Sequence, residues 1–159
     1  MQAFLWFSLI WNSIAQAGNP FRVEVLPVTA ALEQEGAISV VFVVPEDHHL
    51  YVDMMSVTAA PSRELNIQAP QFPMGNLKPD PASPEQMREI YQQSTTVTLP
   101  IKPSAQGIYP AKIEVRYQGC KEGLCYMPKT ESIETSVVVN TSSPIKDMGA
   151  PNPAQPDEK

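Results

Sequence analysis

The sequence predicts an all-β domain folded as a sandwich, with a cysteine pair at a turn on one end. Two observations carry this. Apolar and polar residues alternate with period two in several short runs, and turn-forming residues punctuate them. The run over 111–118 also leads straight into Cys120, which places Cys120 and Cys125 in a hairpin-like turn between strands.

Taken in order, residues 21–25 (Phe-Arg-Val-Glu-Val) alternate as a half-buried strand does. Residues 38–44 form a nearly continuous β-branched run, which predicts a strand covered on both faces. Residues 50–58 are a third candidate. Residues 95–101 are a fourth, with Val97, Leu99 and Ile101 on one face. Residues 111–118 alternate through Ile113, Val115 and Tyr117, and residues 133–139 close the set.

Two regions break the pattern. Residues 70–84 hold Pro70, Pro73, Pro79, Pro81 and Pro84, too many for a central strand. Ser83-Pro84-Glu85-Gln86 then reads as an N-cap with proline at the first helical position, which predicts a short helix running to Glu89 or Tyr91. From residue 143 onward, Pro144, Pro151, Pro153 and Pro156 among small and charged residues predict a disordered tail over 143–159.

Residues 1–17 read as a signal peptide. An apolar run over 4–11 is followed by Ala15-Gln16-Ala17, a small-residue cleavage pattern, although no Lys or Arg precedes the run. The run is too short to span a bilayer as a permanent helix. No cysteine follows the cleavage site, which argues against a lipid anchor. The expected mature form is a periplasmic domain over 18–142, without stable membrane insertion and in a compartment where disulfides persist. Trp6 and Trp11 leave with the signal, so the mature domain lacks the buried Trp of a true immunoglobulin core. The net charge of −6 belongs entirely to the mature chain, and with no basic cluster it disfavours nucleic acid as a partner.

The chemistry centres on Tyr117-Gln118-Gly119-Cys120-Lys121-Glu122-Gly123-Leu124-Cys125-Tyr126-Met127-Pro128, which holds the chain's two cysteines. Gly119 and Gly123 supply the permissive backbone of a tight turn. A bridge across so short a loop is worth roughly 2 kcal/mol in the chain-entropy model, less than one between distant partners. That points to a bond made to open and close; the alternative is a static bridge pinning a turn. Lys121 and Lys129 are offset by Glu122 and Glu131, so nothing predicts a strongly activated thiolate. His48 and His49 are neighbours that would point to opposite faces of a strand and cannot chelate one metal together. A blue-copper site would need two histidines and a cysteine around the metal. No metal and no cofactor is therefore expected. Met54, Met55, Met74, Met87 and Met127 are packing residues by default.

The motif Tyr-Gln-Gly-Cys, four residues, then Cys-Tyr-Met-Pro resembles that of the N-terminal periplasmic domain of the thiol:disulfide interchange protein DsbD family. His48-His49-Leu50-Tyr51 falls where that family has an aromatic-rich strand, and Glu89-Ile90-Tyr91 with Leu99-Pro100 matches the segment before the motif strand. The likeness covers roughly 21–140 and is specific within the motif. It implies an immunoglobulin-like β-sandwich that relays electrons in the periplasm. The donors would be thioredoxin-like domains or membrane redox proteins of the DsbD and CcdA kind. The acceptors would be disulfide isomerases or cytochrome c maturation factors.

Carried over, Cys125 would form the mixed disulfide and Cys120 would resolve it, with Tyr51 and His49 lining the site. Tyr117 and Tyr126 would join the backbone edge as a docking surface. There are three departures. Four residues separate the cysteines rather than the family's five. The acidic-aromatic cap loop has no clear match, the proline-rich 79–87 stretch standing in its place. Membrane and thioredoxin-like domains are not in this sequence, so either the chain is a free-standing homologue or a separate membrane protein completes the relay.

Overall fold

A computed structural model of the chain describes residues 18–80 and 83–141. The expected signal peptide and proline-rich tail lie outside the described residues. The elements are β1 (Arg22–Val25), β2 (Val28–Ala31), β3 (Gly36–Val43), β4 (His48–Tyr51), a 3₁₀ turn (Val52–Met54) and β5 (Ser56–Ala59). They continue with β6 (Asn76–Asp80), β7 (Ser83–Tyr91), β8 (Thr95–Ile101), β9 (Gly107–Tyr117), β10 (Gly119–Lys121), β11 (Leu124–Cys125) and β12 (Lys129–Asn140). All-β is therefore what the chain adopts.

The strands form three sheets, ordered β1-β3-β8, β2-β12-β9-β5 and β11-β10-β4-β7-β6. Alternation sorts the first two into facing layers. Ile38, Val40 and Phe42 of β3 and Val97, Leu99 and Ile101 of β8 meet Ile113, Val115 and Tyr117 of β9 and Val137 and Val139 of β12 in one buried cluster. Each such side chain contributes about 1.5–3 kcal/mol on leaving water. The β9–β12 ladder runs from Gly107↔Val139 to Tyr117↔Lys129, and one residue later the chain switches into the five-stranded sheet as β10. The long ladder thus sets the cysteine turn at the end of the sandwich.

Three expectations need correction. Residues 83–91 are a strand, not a helix. Ile90 and Tyr91 are both buried, Ile90 in a small cluster with Cys120 and Tyr91 in the main core. Consecutive residues reach opposite sides on a strand but lie about 100° apart on a helix, so burial overrides the local capping signals. The run over 50–58 is broken by the 3₁₀ turn, with β4 in the five-stranded sheet and β5 in the four-stranded one. In β3 the face bearing Ile38, Val40 and Phe42 is buried, whereas Ser39, Val41 and Val43 on the other are half-buried. The proline-rich stretch supplies β6, an edge strand where proline is tolerated.

Candidate redox site

Cys120 and Cys125 are bonded to each other and directly paired across β10 and β11, Cα to Cα 4.0 Å. Lys121 pairs with Leu124, leaving Glu122 and Gly123 as a two-residue loop. Both have positive φ, 48° and 83°, the requirement of a type I′ hairpin turn. Gly123 meets that need at no steric cost. Gly119 serves a different purpose from the turn role expected of it. A Cβ there would sit 2.1 Å from the Phe21 ring, so glycine is required for close packing.

The two sulfurs are unequally placed. Cys120 is fully buried and Cys125 is exposed at the sheet edge. Cys120 is also the register partner of His49 on β4, so Cys125, Cys120 and His49 form one row across three strands. Directly paired residues share a face. Tyr51, two residues along β4, shares that face: it packs with Ile90 and Cys120, and its ring meets His49 edge-on at 5.0 Å. The Arg88 guanidinium lies over the Tyr51 ring at 3.8 Å and is held by Asp53 at 2.6 Å. Burial, then the charges of His48 and Arg88, lower the pKa of His49, with Asp80 opposing. Burial chiefly, then Asp80, raises the Tyr51 hydroxyl.

The opposite face holds a different set. His48 donates from Nδ1 to the Glu46 carbonyl (2.6 Å) and accepts at Nε2 from the Tyr126 hydroxyl (3.1 Å), with the two rings stacked. Phe21 meets His48, Tyr126 and Tyr117 edge-on. The two histidines therefore point apart, as strand alternation requires. Among the described residues no group of three or more His, Cys, Asp or Glu could hold a metal ion.

Of the expected site residues, the fold brings Cys120, Cys125, His49 and Tyr51 to one face. Tyr126 supports the hairpin from beneath. Tyr117 is not available to a docking partner: it is fully buried between Phe21 and Phe42, with its hydroxyl on Glu131 at 2.6 Å. The exposed apolar side chains beside Cys125 are Leu124 and Met127, at 77% and 84%. Sequence reasoning missed Phe21 as the support of the hairpin, and Arg88 and Ile90 as its neighbours on β7. The adjacent pair Ile90-Tyr91 was the signal that could have placed β7 as a strand. The β6–β7 hairpin lies beside the site, Pro79 and Arg88 lining a shallow cleft with His49 and Tyr51.

Comparison with known proteins adds the following. The family model described as "Thiol:disulfide interchange protein DsbD, N-terminal" matches residues 22–137. The chain is 33% identical over 96 residues to the thiol:disulfide interchange protein DsbD of Pseudoalteromonas atlantica, covering 60% of this chain and 15% of that protein. It is 27% identical over 149 residues to that of Pasteurella multocida, covering 89% and 24%. The chain thus spans less than a quarter of the length of either relative. Among solved structures, the reduced DsbD N-terminal domain of Neisseria meningitidis superposes with TM-score 0.50 at 24% identity, covering 66% of this chain and 80% of that one. The complex between the DsbD and PilB N-terminal domains of the same organism gives 0.55 at 22%, covering 77% and 88%. These likenesses establish the fold, an immunoglobulin-like β-sandwich.

Proposed function

The chain belongs to the family of DsbD N-terminal domains, and from that premise we propose that it is a periplasmic thiol–disulfide exchange module relaying electrons through Cys120 and Cys125. The observation that carries this is the asymmetry of the pair: one sulfur exposed on a hairpin at the sheet edge, the other buried behind it. Exchange needs one sulfur that an incoming thiolate can reach and a second thiol placed to finish the reaction. A bridge built only to pin the turn has no use for such a difference.

On reduction, a donor thiolate attacks Cys125 Sγ, the Cys120–Cys125 bond breaks, and Cys120 leaves with the electron pair and takes up a proton. The donor's second thiol then attacks its own sulfur in the mixed disulfide. The donor departs oxidised and both cysteines are left reduced. Handing on the two electrons reverses these steps: Cys125 attacks an acceptor disulfide and Cys120 resolves the mixed disulfide. Donors are thioredoxin-like or DsbD/CcdA-like membrane redox proteins, and acceptors are disulfide isomerases or cytochrome c maturation factors. The relative solved in complex with a PilB N-terminal domain supports a protein as the reacting partner. Exposed Met127, two residues along the chain from Cys125, gives such a partner an apolar contact, while Leu124 lies on the His48 face through its pairing with Lys121.

The test is the reduction potential of the pair together with trapping by single-cysteine variants. A potential between roughly −180 and −270 mV is expected. Cys120→Ala should accumulate mixed disulfides through Cys125, and Cys125→Ala should not. A potential below about −300 mV with no trapped partner would leave a structural sandwich carrying an inert bridge.

A further inference from the structure

We infer that His49 is the acid–base residue of the exchange, taking the proton from the Cys120 thiol as Cys120 resolves a mixed disulfide and returning it when Cys120 is the leaving group. The inference rests on the exchange reading above and assigns its proton traffic.

The argument starts from the burial of Cys120. A thiolate inside a fully buried site is penalised by desolvation, so the resolving thiol holds its proton more tightly than an exposed one. Yet the thiolate is the attacking species. A base within reach of that sulfur removes the difficulty. Cys120 is paired to Cys125 on one side and to His49 on the other, and the side chains of directly paired residues share a face about 5 Å apart at Cβ. The remaining members of its small buried cluster are Tyr51 and Ile90. Ile90 has no proton to exchange, and the Tyr51 hydroxyl, raised by burial, is a poor base or acid near neutrality.

The groups around His49 keep it neutral and therefore able to accept a proton. Besides Cys120 from β10, it has around it Arg88 from β7, Lys78 and Asp80 from β6, and from its own strand Tyr51 on the same face and the charge of His48 on the opposite one. Asp47 and Glu122 line the cleft on its other side. Burial lowers its pKa most, and His48 and Arg88 add to this against Asp80. The half-buried ring borders clefts open to solvent on both sides, a route for the proton to leave.

The balance closes. Cys120–SH gives its proton to His49. The resulting thiolate forms the S–S bond with Cys125, and the partner's sulfur leaves with the electron pair of the broken bond. The proton on His49 passes to that leaving thiolate or to water. The partner disulfide is the oxidant, and the cysteine pair is oxidised.

The probe is the aromatic disulfide dithiobis-nitrobenzoate, added to the reduced full chain. Cys125 attack releases one coloured thiolate and Cys120 resolution releases a second, so the two steps are read separately. In the wild-type chain the second release should be flat with pH above the usual histidine range, about 6.5. In His49→Phe and His49→Gln the ratio of second to first rate should fall on the order of 100-fold at neutral pH. In both, the second step should then climb about tenfold per pH unit, as an unassisted thiol ionises. A variant that merely loosened the hairpin would expose Cys120 and quicken the second release, the opposite direction. Both variants retaining the wild-type plateau would overturn the role of His49 while leaving the exchange reading intact. A wild-type chain that never releases the second thiolate would overturn both.

Discussion

The two faces of the five-stranded sheet carry almost the same kinds of side chain and use them differently. On the inner face His48, Tyr126, Phe21 and Gly119 lock together through ring contacts and a glycine that admits the Phe21 ring. On the outer face Tyr51, Ile90 and Cys120 form a small cluster, bordered by the His49 ring, roofed by Arg88 and open at Cys125. One residue's step along β4 takes a histidine from the first setting to the second. The inner set spends its aromatic area on rigidity, and the outer set leaves a bond within reach of an incoming sulfur. A redox hairpin of three- and two-residue strands has little stability of its own, so the packed face is what allows the reactive face to be sparse.

The sharpest way to break this contrast is at the support. Phe21→Ala should cost about 3–5 kcal/mol in unfolding free energy, read by denaturant titration of the oxidised domain. Gly119→Ala, which drives a methyl group into the same ring, should cost about 1–3 kcal/mol alone. In the Phe21→Ala background that second cost should largely vanish, because the clash has gone. Additive losses would mean that Gly119 is held by something other than Phe21.

A smaller loss is expected where the long ladder meets the site. Tyr117→Phe removes the hydroxyl from Glu131 and should cost about 1 kcal/mol. The change also has a pH signature. Burial alone would raise the Glu131 carboxyl, but its hydrogen bonds from Tyr117 and Lys129 hold it below the usual range. A depressed folded-state pKa gives stability that is present above the unfolded value, about 4.3, and is lost as pH falls through the folded one. The wild-type domain should therefore weaken below about pH 4.3 more steeply than Tyr117→Phe. Parallel profiles would assign the acid sensitivity to other carboxylates.

An effect on folding no larger than that of Tyr117→Phe belongs to the outer face. Arg88→Ala gives up the ring contact with Tyr51, a pair with a largely exposed Asp53 and a longer one, at 3.6 Å, with Asp80, together about 1 kcal/mol. Its consequence should appear in exchange kinetics instead, since the residue roofs the reactive cluster. A loss as large as that of Phe21→Ala would erase the distinction between the two faces.

Much of this was legible in the sequence, and the limits are physical. Val97, Leu99 and Ile101 announced β8 because period-two alternation is local and needs no partner to be read. The pairing of Cys120 with Cys125 followed from a short spacing and the turn glycine Gly123, while Gly119 reads as a second turn residue and is instead the seat of the Phe21 ring. The strand over 83–91 was hidden because Ser83 and Pro84 are strong local helix signals, and the need to bury Ile90 and Tyr91 on opposite sides appears only once two sheets exist. Tyr117 reads as part of the docking surface because it adjoins the motif, although its alternation with Ile113 and Val115 puts it on the apolar face of the strand. Its burial is decided by Phe21 and Phe42, which lie far away in sequence. Gly119 and Phe21 illustrate the same limit, since a close approach between residues so far apart in the chain leaves no trace in either neighbourhood.

The parallel pairing of β2 with β12, Val28 against Val137 through Ala31 against Asn140, has a consequence for how the domain is made. An early segment waits for a late one, so the sandwich cannot close until residue 140 has been delivered, and loop-closure entropy makes such a topology slow to form. During that wait the thiols at 120 and 125 can be oxidised, yet the ring they close is local and fixes no distant strand. Premature oxidation therefore traps no wrong topology, and a chain whose thiols were oxidised before residue 140 was in place would still find its register.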